Sequence, residues 1–147
     1  RVASRGLGDV YKRQHYYYHK FNPEDEQSHR RSIYRFVVRS QPNPFMTTLD
    51  CADSSQSTPK RNETLTALQA LSLLNNKFTL VMARHFAGRL AGEEEKITRQ
   101  MELGFELVAG RPPSVEEQNL LAEYASEHGM ANLCRSLFSL SEFAFID

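Results

Sequence analysis

Residues 64–91 read TLTALQALSLLNNKFTLVMARHFAGRLA, and their spacing decides the fold. Leu65, Leu68 and Leu71 mark one face of a first helix, expected over about Leu65 to Leu74 with Thr64 or Asn62 as its cap. Asn75-Asn76 breaks the pattern and can cap a second helix, about Lys77 to Ala91. There Phe78, Met82, Phe86 and Leu90 recur every four residues, with Val81 beside them. Gln69 falls inside the apolar face of the first helix. A buried amide there needs hydrogen-bond partners, which the loop before it could supply.

The helical pattern continues to the end of the chain. Gly92 is read as the separator before a third helix, about Glu93 to Ala109. Glu93, Glu94 and Glu95 would sit at its positive N-terminal end. Its apolar face is Ile97, Met101, Phe105 and Val108, with Gly104 allowing a close approach by a neighbour and Gly110 as the C-cap. The loop Arg111-Pro112-Pro113 leads into Ser114-Val115-Glu116-Glu117, a capping-box pattern. A fourth helix carries Leu120, Leu121 and Tyr124 and ends near Gly129; a fifth spans about Met130 to Leu140. Cys134 shares helical spacing with Met130, Leu133 and Leu137, which predicts a core thiol. The connections from the second helix onward are short, so successive helices should pack antiparallel. The expected class is mainly α: an irregular N-terminal segment (15–63) followed by about five packed antiparallel helices in a bundle (64–147).

The upstream part reads differently. His15 to Arg30 is polar and aromatic and reads as loop; Ser32 to Val38 alternates loosely and suggests a short extended segment. Gln41 to Lys60 holds Pro42, Pro44 and Pro59 among many Ser and Thr residues, the composition of an irregular connection. Ser4 to Gln14, SRGLGDVYKRQ, matches the translation of a transposase adapter used in library preparation and is read as such, the alternative being a natural basic N-terminal arm. Residues 1–14 are therefore read as a non-native tail and set aside from fold reasoning. On that reading the chain begins inside an open reading frame, and 15–147 is one domain, the C-terminal fragment of a larger protein.

Composition narrows the function classes. The sequence holds 18 basic and 18 acidic residues. Setting aside residues 1–14 removes Arg1, Arg5, Lys12, Arg13 and Asp9, leaving 14 basic and 17 acidic residues, a net charge of −3. Nucleic-acid binders usually carry a basic surplus, so no nucleic-acid partner is expected. No apolar run reaches the length of a membrane span. Neither Cys51 nor Cys134 belongs to a CxxC or CxxCH pair, so no zinc ribbon or haem attachment is expected, and no cofactor is assigned to this fragment.

The polar residues that could carry chemistry concentrate before and at the first helix. Arg31, Arg35 and Arg39 lie four apart with Arg30 beside them. Guanidinium groups there could clamp carboxylates or phosphates, or simply pin the irregular segment through Asp50, Asp53 and helix carbonyls. Asp50 and Asp53 with Glu63 could form an acid pair; the plainer reading is turn chemistry, since the spacing matches no calcium loop. His15 and His19 are four apart but have no evident third ligand, so no metal site is assigned. His85 and His128 read as helix-packing or helix-end residues. The candidate polar cluster is Arg30, Arg31, Tyr34, Arg39, Asp50, Asp53, Arg61 and Gln69.

Several pieces together resemble a known family. They are Arg30-Arg31-Ser32-Ile33-Tyr34, the stretch Leu49 to Asp53, Pro59-Lys60-Arg61, Leu68 to Leu71 with Leu74-Asn75-Asn76, Gly110 to Glu117, and Ser141-Glu142-Phe143. The chain resembles the C-terminal domain of large planctomycete proteins, domain of unknown function 1553, which often carry a cytochrome-c-like module. It departs from that pattern at Ser139 and Ser141, where the family more often has Asn. The resemblance implies an exported protein of the cell envelope or periplasm, with an upstream domain of the same polypeptide as partner. Two function classes follow. One is a structural or interaction module that docks on the upstream domain. The other is part of an envelope hydrolase or redox-linked enzyme, with Arg31, Arg39, Asp50, Asp53 and Arg61 lining a shared cleft.

Overall fold

A computed structural model describes residues 22–25, 29, 31, 34, 41–51, 57 and 66–144 of the chain. The fold is mainly helical, with no strand among the described residues. The chain divides into two compact units, Arg1–Leu65 and Thr66–Asp147.

The first unit contains helix α1, Pro44–Thr48. It lies within the stretch expected to be an irregular connection, and its ends explain why it forms. Asn43 is the N-cap: its Oδ1 accepts from the Phe45 amide at 3.0 Å. Pro44 follows at the first helical position, where a missing N–H costs nothing and the fixed φ suits the helix. At the other end Asp50 adopts φ 55°, the Cys51 amide donates to the Met46 carbonyl at 3.0 Å, and the Asp50 amide donates to Thr47 at 3.2 Å. That is a Schellman motif with Asp in the left-handed position usually held by Gly. Of the extended segment expected over Ser32 to Val38 only Tyr34 is described. It sits in a tight turn, its amide donating to the Arg31 carbonyl at 2.9 Å.

The second unit holds α2 (Ala67–Asn75), α3 (Lys77–Glu93), α4 (Ile97–Ala109), α5 (Val115–His128), α6 (Met130–Leu137) and the single turn α7 (Ser141–Ala144). The short α6 is central: it packs on α3, α4 and α5 and buries Leu133, Cys134 and Leu137. Leu133 and Leu137 join Met101, Phe105 and Val108 of α4 and Leu121 and Ala125 of α5 in one apolar cluster. Cys134 joins Ala83 and Leu90 of α3 in a second. Phe138, just past α6, stacks on Phe86 of α3 and on Phe143 of α7, which ties the last turn to the bundle. The core faces expected for the second and third helices are thus largely present, and Gly110 closes α4 at φ 71° as expected.

Several boundaries differ from expectation for physical reasons. Thr66, not Thr64 or Asn62, caps α2. Gly92 does not separate two helices; α3 runs through it to Glu93, and an Arg89–Glu93 pair at 2.7 Å one turn apart supports that end. The triple acid therefore lies at the close of α3 and in the following turn rather than at the start of α4. There Gln100 Nε2 donates to the Glu94 carbonyl at 2.7 Å. Ile97 becomes the first residue of α4 and is exposed. Leu68 and Leu71 are also exposed, at 63% and 56%, and Gln69 is the buried residue of α2. The fifth helix stops at Leu137, three residues short of expectation.

Gly104 supplies the close approach. A Cβ there would stand 2.9 Å from Leu90 Cδ1, and Leu90 is fully buried and has little room to yield. Gly88 on α3, by contrast, is exposed with nothing nearby. Gly88→Ala should stabilise the chain by roughly 0.5–1 kcal/mol through helix propensity alone. Gly104→Ala gains the same propensity but meets Leu90, at an overpacking cost of about 1–3 kcal/mol. Denaturant unfolding of the two variants should separate them by about that cost; equal stabilities would show that the Leu90–Gly104 contact is not tight.

Candidate functional site

Around α5 the second unit places polar and apolar surface side by side. Ser114 and Glu117 form the expected capping box: the Glu117 amide donates to Ser114 Oγ at 3.2 Å, and the Ser114 amide donates to Glu117 Oε2 at 2.7 Å. Arg111, read from sequence only as loop, clamps the same carboxylate with both ends of its fork, at 2.7 and 2.9 Å. Its guanidinium carbon also lies 5.0 Å from the centre of the Phe105 ring, and Glu142 of α7 is 3.6 Å away. One side chain therefore gathers the loop, the start of α5, the α4 core face and α7. The Arg111 hydrogen bonds, with the Ser114 amide, lower the Glu117 pKa to about 2.

An open groove of about 480 Å³ runs beside this clamp between α5 and α6. Phe105, Leu121, Leu133 and Leu137 form its apolar floor, and Leu120 and Tyr124 of α5 stand exposed at its edge. Tyr124 meets the His128 ring edge-on, with centroids 4.5 Å apart, at the end of α5. Glu123 and Glu127 flank the same row one turn apart. On another face of the unit, α3 and α6 enclose a smaller cleft of about 400 Å³ that includes Lys77, Arg84 and Arg135.

Two polar ties hold α2. Gln69 is buried, and its side chain closes a second capping box: the Thr66 amide donates to Gln69 Oε1 at 3.0 Å, and the Gln69 amide donates to Thr66 Oγ1 at 3.3 Å. At the other end Arg135 of α6 donates to the Leu74 carbonyl at 2.7 Å and to Asn75 Oδ1 at 3.0 Å. Sequence reasoning missed Arg135, because its partners lie some sixty positions earlier and no local pattern marks the pairing. Arg111 was discoverable: an arginine six residues before a capping-box glutamate can fold back on it.

Four residues of the candidate polar cluster are described. Arg31 and Tyr34 share one exposed turn. Asp50 holds the left-handed position that ends α1. Gln69 serves the capping box of α2. Arg30, Arg39, Asp53 and Arg61 lie outside the described residues, as do Arg35, Glu63, His15 and His19. Among the described residues no group of three or more His, Cys, Asp or Glu is placed to hold a metal ion, and no helix is long and apolar enough to cross a membrane. Both cysteines are free thiols. Cys51 is exposed, while burial drives the Cys134 pKa up to about 11, the state of an inert core thiol.

These features define a small helical module with an apolar groove. The sequence profile of a family described as PSD1, Protein of unknown function (DUF1553), matches residues 3–125, and the chain belongs to that family. The match includes most of the stretch read as adapter-derived and stops within α5, whereas the resemblance read from sequence extended to Asp147. No curated protein and no solved structure matches the chain.

Two outcomes test the ties. Gln69→Leu removes the side-chain half of a capping box, and Arg135→Ala removes the fork at the opposite end of α2. Each should destabilise the chain by about 1–2 kcal/mol and speed amide exchange within α2 first. Unchanged exchange in α2 would exclude both roles. Because the folded pKa of Glu117 lies below the ordinary 4.5, its contribution is complete above about 4.5 and is lost as pH falls through about 2. Glu117→Gln should accordingly be less stable than the parent at pH 6. In unfolding curves collected down to pH 2 that gap should narrow; a constant gap would refute the linkage.

Proposed function

We propose that Thr66–Asp147 is an interaction module of a larger exported bacterial protein and docks on another domain of the same polypeptide. The observation that carries this reading is where the bundle leaves its large apolar side chains. Leu68 and Leu71 on α2 and Leu120 on α5, the last at 64%, are exposed although the unit has its own buried core. Leu120 stands beside an open apolar groove, where an apolar surface suits a partner better than solvent. The envelope location is supported by the family resemblance.

The test compares this chain with the longer polypeptide encoded at its genomic locus. Amide exchange and apolar-dye binding would be followed on both. In the longer protein the amides of α2 or α5 should gain protection and dye binding should fall. Leu120→Glu in the longer protein should restore dye binding while leaving the helical circular dichroism unchanged. Equal exposure of both faces in the two proteins, or a locus that encodes no further domain, would overturn the proposal.

A further inference from the structure

We infer that the groove between α5 and α6 receives a cationic amphipathic helix. The inference rests on the interaction-module reading and adds the chemistry of the partner.

The groove has the parts that helix-in-groove recognition uses. Its floor is apolar and contributed by three helices through Phe105, Leu121, Leu133 and Leu137. A helix laid on it would insert side chains spaced three and four apart. The edge formed by α5 is acidic. Glu123 and Glu127 are four residues apart, so they repeat about 6 Å along the helix axis, at the rise of one turn. Lysines or arginines spaced four apart on the flank of a partner helix would face them.

The charge is available. Glu117, the other acid at the groove, is already neutralised by the Arg111 fork. Among the described residues no cation pairs with Glu123, and Glu127 has only the ring of His128 at 3.7 Å on the exposed surface. Opposite them α6 offers Leu133, Ser136 and Leu137, none of them charged. The cation of α6, Arg135, is committed to the end of α2. An apolar floor with an uncompensated acidic lip favours a partner that brings both apolar anchors and positive flanks, and it disfavours an acidic one.

Two synthetic 18-residue helices would test this, identical in their leucine face, one with lysine flanks and one with glutamate flanks. Each is titrated into the full chain and followed by fluorescence anisotropy. The lysine peptide should bind at least about tenfold more tightly than the glutamate peptide, and its affinity should fall with added salt. The double variant Glu123→Lys, Glu127→Lys should abolish or reverse the preference without changing the helical circular dichroism. Equal affinities, insensitivity to the charge reversal, or no binding of the lysine peptide would overturn the inference. So would self-association of the free chain that Leu120→Asp abolishes, since it would give the groove to a second copy. The outcomes separate from those of the module test. Protection of α5 in the longer polypeptide without peptide binding leaves the module reading standing and removes this one. Peptide binding while neither α2 nor α5 gains protection removes docking within the same polypeptide and leaves a cationic helix of another chain as the occupant of the groove.

Discussion

The second unit depends on the contact between Leu90 and Gly104. Leu90 is completely buried, and its Cδ1 fills the space a side chain at position 104 would take. This lets α3 and α4 approach closely enough for a helix of eight residues, α6, to pack against both. Such a short helix is marginal on its own. Its order comes from burial: Leu133 and Leu137 enter one cluster, and Cys134 enters the other. A fully buried leucine is worth about 1.5–3 kcal/mol, so α6 draws more stability from its three buried residues than from its propensity.

The polar contacts then fix what the apolar ones bring together. Exposed ion pairs such as Arg89–Glu93 contribute little individually. Arg111 differs because its geometry is bidentate and the carboxylate it holds also caps α5. Arg135 differs because it joins helices distant in sequence, satisfying the Leu74 carbonyl that the end of α2 would otherwise leave to water. α2 is thus tied at its start by Thr66 and Gln69 and near its end by a residue of α6, while its leucines at 68 and 71 remain outside.

Local signals in the sequence were readable where the physics is local. The Ser114–Glu117 box and the left-handed Gly110 each follow from a few neighbouring residues. The start of α2 was misplaced because Leu65 was counted as the first turn, although Thr66 and Gln69 already spell the threonine–glutamine version of the same box. Periodicity identified Leu68 and Leu71 as an apolar row but carries no information on what covers it, and in this unit they stay exposed. The helix at Pro44–Thr48 was hidden by Pro42 and Pro44, which signal irregular chain unless Asn43 is recognised as a cap placing Pro44 at the first helical position. Of the candidate polar cluster, Asp50 takes the left-handed position after α1, and the Gln69 side chain closes the capping box of α2.

The same division bears on function. The described core of the second unit, its caps and its two arginine ties use one set of residues. Leu120, Tyr124, Glu123 and Glu127 belong to none of these, yet they are arranged in order along one helix beside a groove floored by the core itself. An exposed leucine by itself means little on a protein surface. Here the exposed leucine, an aromatic ring held by its histidine neighbour and two carboxylates a turn apart share one edge of one groove. The bundle would lose none of its described core or caps if all four were replaced by small polar residues.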